Sequence, residues 1–552
     1  MIEKDSKRYM SNQNLEIGSN FMEKSLYESA SLWQNGAGQH EKEPHPLPFK
    51  IYRQARLYQL AQTPPLTLGE ARCSFHEFYQ TDLCARPAPR RDMLDLDNLS
   101  ALLYYTYGFS RHDAGAGVVW PFHRFVPSAR CFFPAELYMW LPRTAHIPAG
   151  IYHYDNLHHA LALLRQGEYL DVLAQATDTE LDNCLGVLFI SALFWKNAFH
   201  YFDFSYRLST QEAGLVTSNA LLITSALGFC GRIHYQFLDR PLNRLLGFEP
   251  GEESLLAIVP LYPRLEQKAL RRRCLGNTTA AQWLWNRIEP VTLDYFKTGS
   301  FEIERCPLLT EIDQHSFLEE SCEIVTAPTT RDSGCLRTEE CIALPAPFGG
   351  QIELAQALAV RSSGDMEFLP RRALLPWGAF WETIRYSLSV YNSDLQHLPS
   401  PPRLQLYIVV QRVEGMEQGI YRFCTHCGML HIVELGDLSL PIQRMQTQGN
   451  IRSLTANLVC YLVGDYPATS RLFGNRAYRI LHLEAGLVAQ RICVMSASQG
   501  LVTRYSNSYN AVQAKTLLKL TGTSLTPLAE LVIGYEPQGV QAGRRYRFSL
   551  FR

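Results

Sequence analysis

At 552 residues with a formal net charge of −1, the chain is several times longer than one hydrophobic core needs, so two or more domains are expected. Near-neutral charge without a long basic stripe interleaved with aromatics argues against nucleic acid as a partner. Fourteen cysteines, unevenly spaced and diluted over this length, argue against a secreted disulfide framework.

The chain opens on "MIEKDSKRYM", which mixes charges of both signs and has no apolar stretch behind it. It does not read as a secretory signal, and a cytoplasmic location is expected. Residues 1–66 are polar with scattered aromatics (Tyr9, Phe21, Tyr27, Trp33) and read as a leader that wraps the surface of a domain. Next come a helix over "LDNLSALLYYTYG" (96–108), a buried strand over "AELYMWL" (135–141) and a hairpin over "GIYHYDNLHHALALLRQGEY" from Gly150. The run Cys184–Trp195 is too short to span a bilayer and is followed by Lys196; it reads as a buried helix or strand, and no membrane partner is expected. The helical stretch "YRLSTQEAGLV" (206–216), the segment "GFCGRIHYQF" (228–237), too poor in glycine for a phosphate cradle, and a strand "LLAIVPL" (255–261) complete the series.

That series returns about 270 residues later, an interval far too long for a solenoid repeat. A helix is expected over "WGAFWETIRYSLS" (377–389), a strand over "LQLYIVV" (404–410), a hairpin over "GIYRFCTHCGMLHIVELGDL" from Gly419, a helix over "YRILHLEAGLV" (478–488) and a strand over "AELVIGY" (529–535). The chain is therefore read as two α+β domains, 67–264 and 342–552. A connector, 265–341, begins with the basic "KALRRRC" and carries some local helix. Cys424 and Cys427 have the spacing of half a zinc site, with His426 and His431 nearby. A second Cys-x-x-Cys is missing from the sequence, so no metal site is expected. Glu212 and Glu484 recur in both copies and are read as braces of the fold. Fused copies of a fold that shares a site across a two-fold interface form a pseudo-symmetric dimer, in which one site can decay and leave complementary damage in the two copies.

The blocks "VPSARCFFPAELYMWLP", "AGIYHYDNLHHALALLRQGEY", "YFDFSYRLSTQEAGLVTSNALLITSALGF" and "LDRPLNRLLGFEPGEESLLAIVPL" resemble the SagB-type dehydrogenases of the nitroreductase superfamily. The second copy resembles the same family through "AVRSSGDMEF", "LQLYIVVQRVEGMEQGIYRF" and "GNRAYRILHLEAGLVAQ". The resemblance implies two tandem nitroreductase-like domains forming an intramolecular pseudo-dimer, FMN bound at the interface, and the chemistry of the azoline oxidases that make thiazole and oxazole rings. One subunit of that family offers an Arg-Arg-Ser-x-Arg segment and the other a Pro-Ser-Ala-Gly loop. Here the first survives best as Arg361, Ser362 and Ser363, against "LCARPAPRRD" with Arg86, Arg90 and Arg91 in the first copy. The loop survives as Pro127, Ser128 and Ala129, with Arg130 in place of the glycine, against the shortened "LPSPPRLQLY" in the second copy. One composite site is implied, built from the loop of copy one and the Arg-Ser segment of copy two.

The family's catalytic Lys-Tyr pair corresponds to His200 and Tyr201, and in the second copy to Leu472 and Phe473. His200 or Tyr201 is thus implied to assist proton removal. Arg476 and Arg479, and Arg544 and Arg545 after the last strand, are implied candidates for the FMN phosphate, alongside the plainer readings of a local ion pair and a solvated basic tail. The function implied is FMN-dependent oxidation of an azoline on a peptide or carrier-bound intermediate, with biosynthetic partner proteins. The alternatives are a nitro- or quinone-type flavin reductase and a flavin-free scaffold or substrate-binding partner. The chain is expected to be a monomeric pseudo-dimer or a homodimer.

Overall fold

A computed structural model describes residues 12–29, 32, 44–61, 72–73, 93–115, 118–263, 278–299, 301–328, 341–343, 352–536 and 546–548. Two seven-stranded antiparallel sheets have matching order. In the first, the strands run Arg56–Gln59, Ala160–Gln166, Gly150–Asp155, Ala135–Leu141, Gly186–Leu193, Glu253–Pro263 and Phe229–Gly231. In the second they run Cys341–Ile342, Leu430–Leu435, Gly419–Phe423, Leu404–Val410, Leu458–Asp465, Leu525–Gly534 and Val502–Ser506. The central strands Ala135–Leu141 and Gly186–Leu193 are buried at every position, as largely apolar strands covered on both faces are, with Glu136 paired to Lys196 and Ser191 donating to Glu253. Copy and repeat thus agree strand for strand.

Leader and connector take an active part in this plan. The leader strand Arg56–Gln59 pairs with Ala160–Gln166, and the connector's last residue, Cys341, lies in a strand paired with Leu430–Leu435. Each linking segment therefore supplies the outer strand of the sheet that follows it. The leader helix Leu15–Tyr27 buries Phe21 edge-on against both Tyr206 and Tyr478, at centroid distances of 5.7 and 5.1 Å. Such edge-to-face pairs add about 0.5–1.5 kcal/mol each beyond simple burial. The leader thus seals the junction of the two copies in addition to lying over a domain. The connector contains the helices Ala281–Trp285 and Pro307–Gln314, the second starting on a proline whose missing N–H costs nothing at a first turn.

Two 22-residue helices, Ser205–Ala226 and Ala477–Ser498, form the spine of the molecule and pack on each other. Tyr206 and Tyr478, which open the repeated helical stretch, stack at 5.8 Å. The segment Tyr466–Ser498 is long and apolar enough to cross a membrane, yet its most apolar 18-residue stretch is wholly buried inside the fold. The copies also exchange strands: Ile352–Glu353 pairs with Arg72–Cys73, and Tyr546–Phe548 adds to the sheet of Phe109–Ala114 and Phe122–Arg124. The helix expected over 377–389 stops at Ile384. Beyond it the Arg491 guanidinium donates to the carbonyls of Ser387 (3.2 Å) and Ser389 (2.6 Å), drawing that backbone away from helical pairing.

Candidate flavin site between the two copies

The loop after strand Phe122–Arg124 and the segment after helix Leu354–Val360 come from different copies and meet. Arg361 is 4 % exposed; its Nε donates to the Phe125 carbonyl and its Nη2 to the Arg124 carbonyl, both at 3.0 Å. Pro127, Ser128 and Ala129 follow directly. Ser363 accepts from Arg361 Nη1 at 3.4 Å. The Ser362 hydroxyl accepts from Gly364 N–H at 3.1 Å, in a turn where Gly364 has φ 73° and only glycine sits without strain. Arg504, on strand Val502–Ser506, donates Nε to the Ser363 carbonyl at 2.9 Å and a second N–H to the Asp365 carbonyl. Arg111 of the first copy reaches the Arg361 carbonyl at 3.4 Å.

Arg361, Arg111 and Arg504 all act electrostatically on Cys131, whose thiol is pushed up to about 12 by burial first and by the Glu212 charge second. Burial holds both Arg361 and Arg504 down to about 10. A guanidinium so far out of water and bonded to carbonyls and a hydroxyl is poorly compensated, since the desolvation of a cation is best repaid by an anion. The donor set suits a phosphate.

On the loop itself, Ser128 accepts from the Phe133 N–H at 3.0 Å and its hydroxyl bonds the Glu212 carboxyl. Glu212 also accepts from Tyr107 Oη at 2.9 Å, and burial pushes its carboxyl up to about 7. Arg130, Cys131 and Phe133 have φ of 50°, 54° and 50°. The left-handed turn that glycine would make is thus made here by an arginine, at a cost of roughly 1 kcal/mol or more. This conformation turns the exposed Arg130 toward Tyr201, to whose hydroxyl it donates. Tyr201 is 9 % exposed and burial, only partly opposed by Arg130, raises its pKa, so the phenol carries its proton. His200 is half-buried and pushed down to about 4 by desolvation, then by Arg130 and His45, so the ring is neutral at pH 7. Ser128, Arg130, Tyr201 and His200 therefore lie on the first copy's side of this junction and Arg361 and Arg504 supply its cations, while Arg111 is paired with the buried Asp113 at 3.2 Å.

A solved structure named for a nitroreductase, from Anabaena variabilis, matches 94% of this chain and 99% of its own, at 18% identity and a TM-score of 0.68. The fold is nitroreductase-like, twice over. A nitroreductase-named protein of Methanocaldococcus jannaschii is 27% identical over 118 residues, 21% of this chain, and the match spans 59% of that relative's length. The E. coli microcin synthetase McbBCD complex with truncated pro-MccB17 bound matches 47% of this chain and 96% of its own at 17% identity, with a TM-score of 0.28. No family model matches the sequence.

Within this nitroreductase-like pair, Arg476 and Arg479 stand apart from Arg361 and Arg504. Both are 1 % exposed. Arg476 Nη1 donates to Asp239 at 2.7 Å, and Arg479 donates to Asp239 and Asp313 at 2.8 Å each and to Tyr206 Oη at 3.0 Å. Their ion pairs are made with carboxylates distant in sequence and not with a local one such as Glu484, and a phosphate there would have to displace two buried carboxylates. Arg544, Arg545, Arg86, Arg90 and Arg91 lie outside the described residues.

The pseudo-symmetric place repeats the tyrosine–glutamate contact of Tyr107 with Glu212. Glu484, the counterpart of Glu212, accepts from Tyr391 Oη at 2.6 Å and from the Arg403 N–H at 2.9 Å. The Arg403 guanidinium lies over the Phe473 ring, and Tyr235 and Tyr391 pack edge to face at 6.5 Å. Arg504 and Arg111 escaped the sequence reading because neither sits in a recognisable motif. A signal for Arg504 did exist: Gly228 with Arg232 and Gly500 with Arg504 repeat at equal spacing, and both glycines have positive φ.

Proposed function

We propose that the chain is an FMN-dependent oxidoreductase that dehydrogenates an azoline-type heterocycle, thiazoline or oxazoline to thiazole or oxazole, on a peptide or carrier-bound intermediate. The observation that carries this reading is the contact of Arg361, from the second copy, with the Arg124 and Phe125 carbonyls of the first, immediately before the Pro127–Ala129 loop whose next residue, Arg130, bonds Tyr201. The resemblance to the SagB-type dehydrogenases supplies the substrate class.

Bound FMN would supply the acceptor for a hydride. Arg361 and Arg504 would hold its phosphate, while the backbone of Ser128 and Ala129 would admit the ring closely. Aromatisation removes one hydride and one proton from adjacent ring atoms, and molecular oxygen would take the two electrons at the end of each turnover. Neutral His200 has the open lone pair that can receive the proton. Protonated Tyr201, held by Arg130, orients the substrate by donating a hydrogen bond.

The test is incubation of the purified, FMN-loaded chain with a thiazoline-containing peptide under air. Loss of two hydrogens per ring, with a matching yield of hydrogen peroxide, is expected. Nicotinamide-dependent reduction of nitro- or quinone-type acceptors with thiazoline untouched would replace this reading by a flavin reductase. A colourless protein that takes up no FMN would leave a scaffold.

A further inference from the structure

At the outer edge of the second sheet, far from the repeat's shared helices, three metal-ligand side chains converge: the ligand atoms of Cys424, Cys427 and His431 all lie within 4.8 Å of one another. Cys427 Sγ stands 3.5 Å from His431 Nε2. Cys341, directly opposite His431 on the neighbouring strand, places its Sγ 4.0 Å from the same nitrogen and 3.4 Å from His431 Nδ1. In a tetrahedral zinc site, with Zn–S about 2.3 Å and Zn–N about 2.0 Å, sulfur and nitrogen ligands stand roughly 3.5 Å apart. The geometry points to a structural zinc site with Cys424, Cys427, His431 and Cys341 as its four ligands.

The two copies argue for it by contrast. Strand register equates Arg422 and His431 with His153 and Ala162, and Cys341 with Leu57, because each set forms the same cross-strand pairs. Cys424 then falls on Asp155 and Cys427 on His158, and the left-handed residues Gly428 (φ 66°) and His159 (φ 49°) coincide. In the first copy the turn closes itself: Asp155 accepts from the N–H groups of Leu157 and His158 at 3.1 and 3.0 Å and pairs with the His158 ring at 2.7 Å. The second copy has exchanged that acid, that histidine, an alanine and a leucine for three thiols and an imidazole, all at one spot. His431 is buried while Cys424 and Cys427 are half-buried, which suits a closed site reached from the surface. A Zn²⁺ there would clamp the end of the connector to the hairpin, doing for the short strand Cys341–Ile342 what two cross-strand partners alone do weakly.

The sequence expectation of no metal site rested on the absent second Cys-x-x-Cys; the fourth ligand comes instead from the connector. The experiment is metal analysis of the full chain purified from zinc-supplemented cells, followed by Co²⁺ exchange. About one zinc per chain is expected, as is a cobalt form with thiolate charge-transfer and intense tetrahedral d–d bands. Cys427→Ser and His431→Ala should each reduce bound zinc at least tenfold, and Cys341→Ser should weaken retention against a chelator. FMN content should stay unchanged in every variant that remains folded by circular dichroism, which separates this site from the flavin reading. Wild-type protein holding less than about a tenth of a zinc, no tetrahedral cobalt spectrum, or a Cys424–Cys427 disulfide in the native chain would overturn it.

Discussion

Gly214 and Gly486 face each other where the two spine helices cross: a Cβ built on Gly486 would lie 2.9 Å from Gly214 Cα and 2.8 Å from the Leu215 nitrogen, and one on Gly214 would lie 2.9 Å from Leu483 Cα. These glycines are the centre of the repeated "EAGLV", so the repeat marks the crossing point of the pseudo-dimer and not a ligand motif. Backbone cannot yield as a flexible side chain does. Gly214→Ala and Gly486→Ala should therefore each destabilise the chain by about 3 kcal/mol or more, read as a drop in thermal midpoint, whereas Gly428→Ala, which meets nothing but has a positive φ, should cost only about 1 kcal/mol.

Arg479 separates a structural ion pair from a phosphate ligand. Arg479→Ala leaves Asp239 and Asp313 buried and short of a partner, and should cost about 3–5 kcal/mol. FMN bound per folded chain should not fall. A large loss of FMN affinity with unchanged stability would return Arg479 to the cofactor.

Much of this architecture was legible before any coordinates, because a tandem repeat betrays itself in ordered apolar blocks. The approach of Arg361 to the strand that leads into the Ser128 loop was legible too, since each copy kept the half that the other had lost. Partners distant in sequence were not: nothing local connects Arg476 and Arg479 to Asp239 and Asp313, or Cys341 to His431. The end of helix Trp377–Ile384 was equally hidden, being decided by Arg491, a residue more than a hundred positions away. Leader and connector looked peripheral because short edge strands have too few residues to show a period.

Stability should depend on Glu530 across neutral pH. Burial raises its carboxyl to about 7, against an ordinary value of 4.5, while Tyr461 Oη donates to it at 2.8 Å. The folded state therefore binds the proton more tightly. That contribution is fully present below pH 4.5 and is lost as pH rises through 7. Unfolding free energy from denaturant titrations should decline between pH 5 and 8, and Glu530→Gln should flatten part of that slope. Glu212, also near 7, should account for a similar part.

Tyr201→Phe removes a protonated phenol and keeps the ring. Azoline dehydrogenation should fall about 10²-fold or more with FMN content unchanged. His200→Ala should leave the rate independent of pH near 4 if this ring supplies the only acid limb there. A wild-type rate in both variants would remove the pair from the chemistry.

The central claim is one composite site per chain, and the FMN-to-chain ratio tests it most directly. The purified chain should hold one FMN. Arg361→Ala should release it, and Arg403→Ala, at the pseudo-symmetric place, should not. Two FMN per chain, or one FMN indifferent to Arg361 and lost with Arg403, would contradict the account.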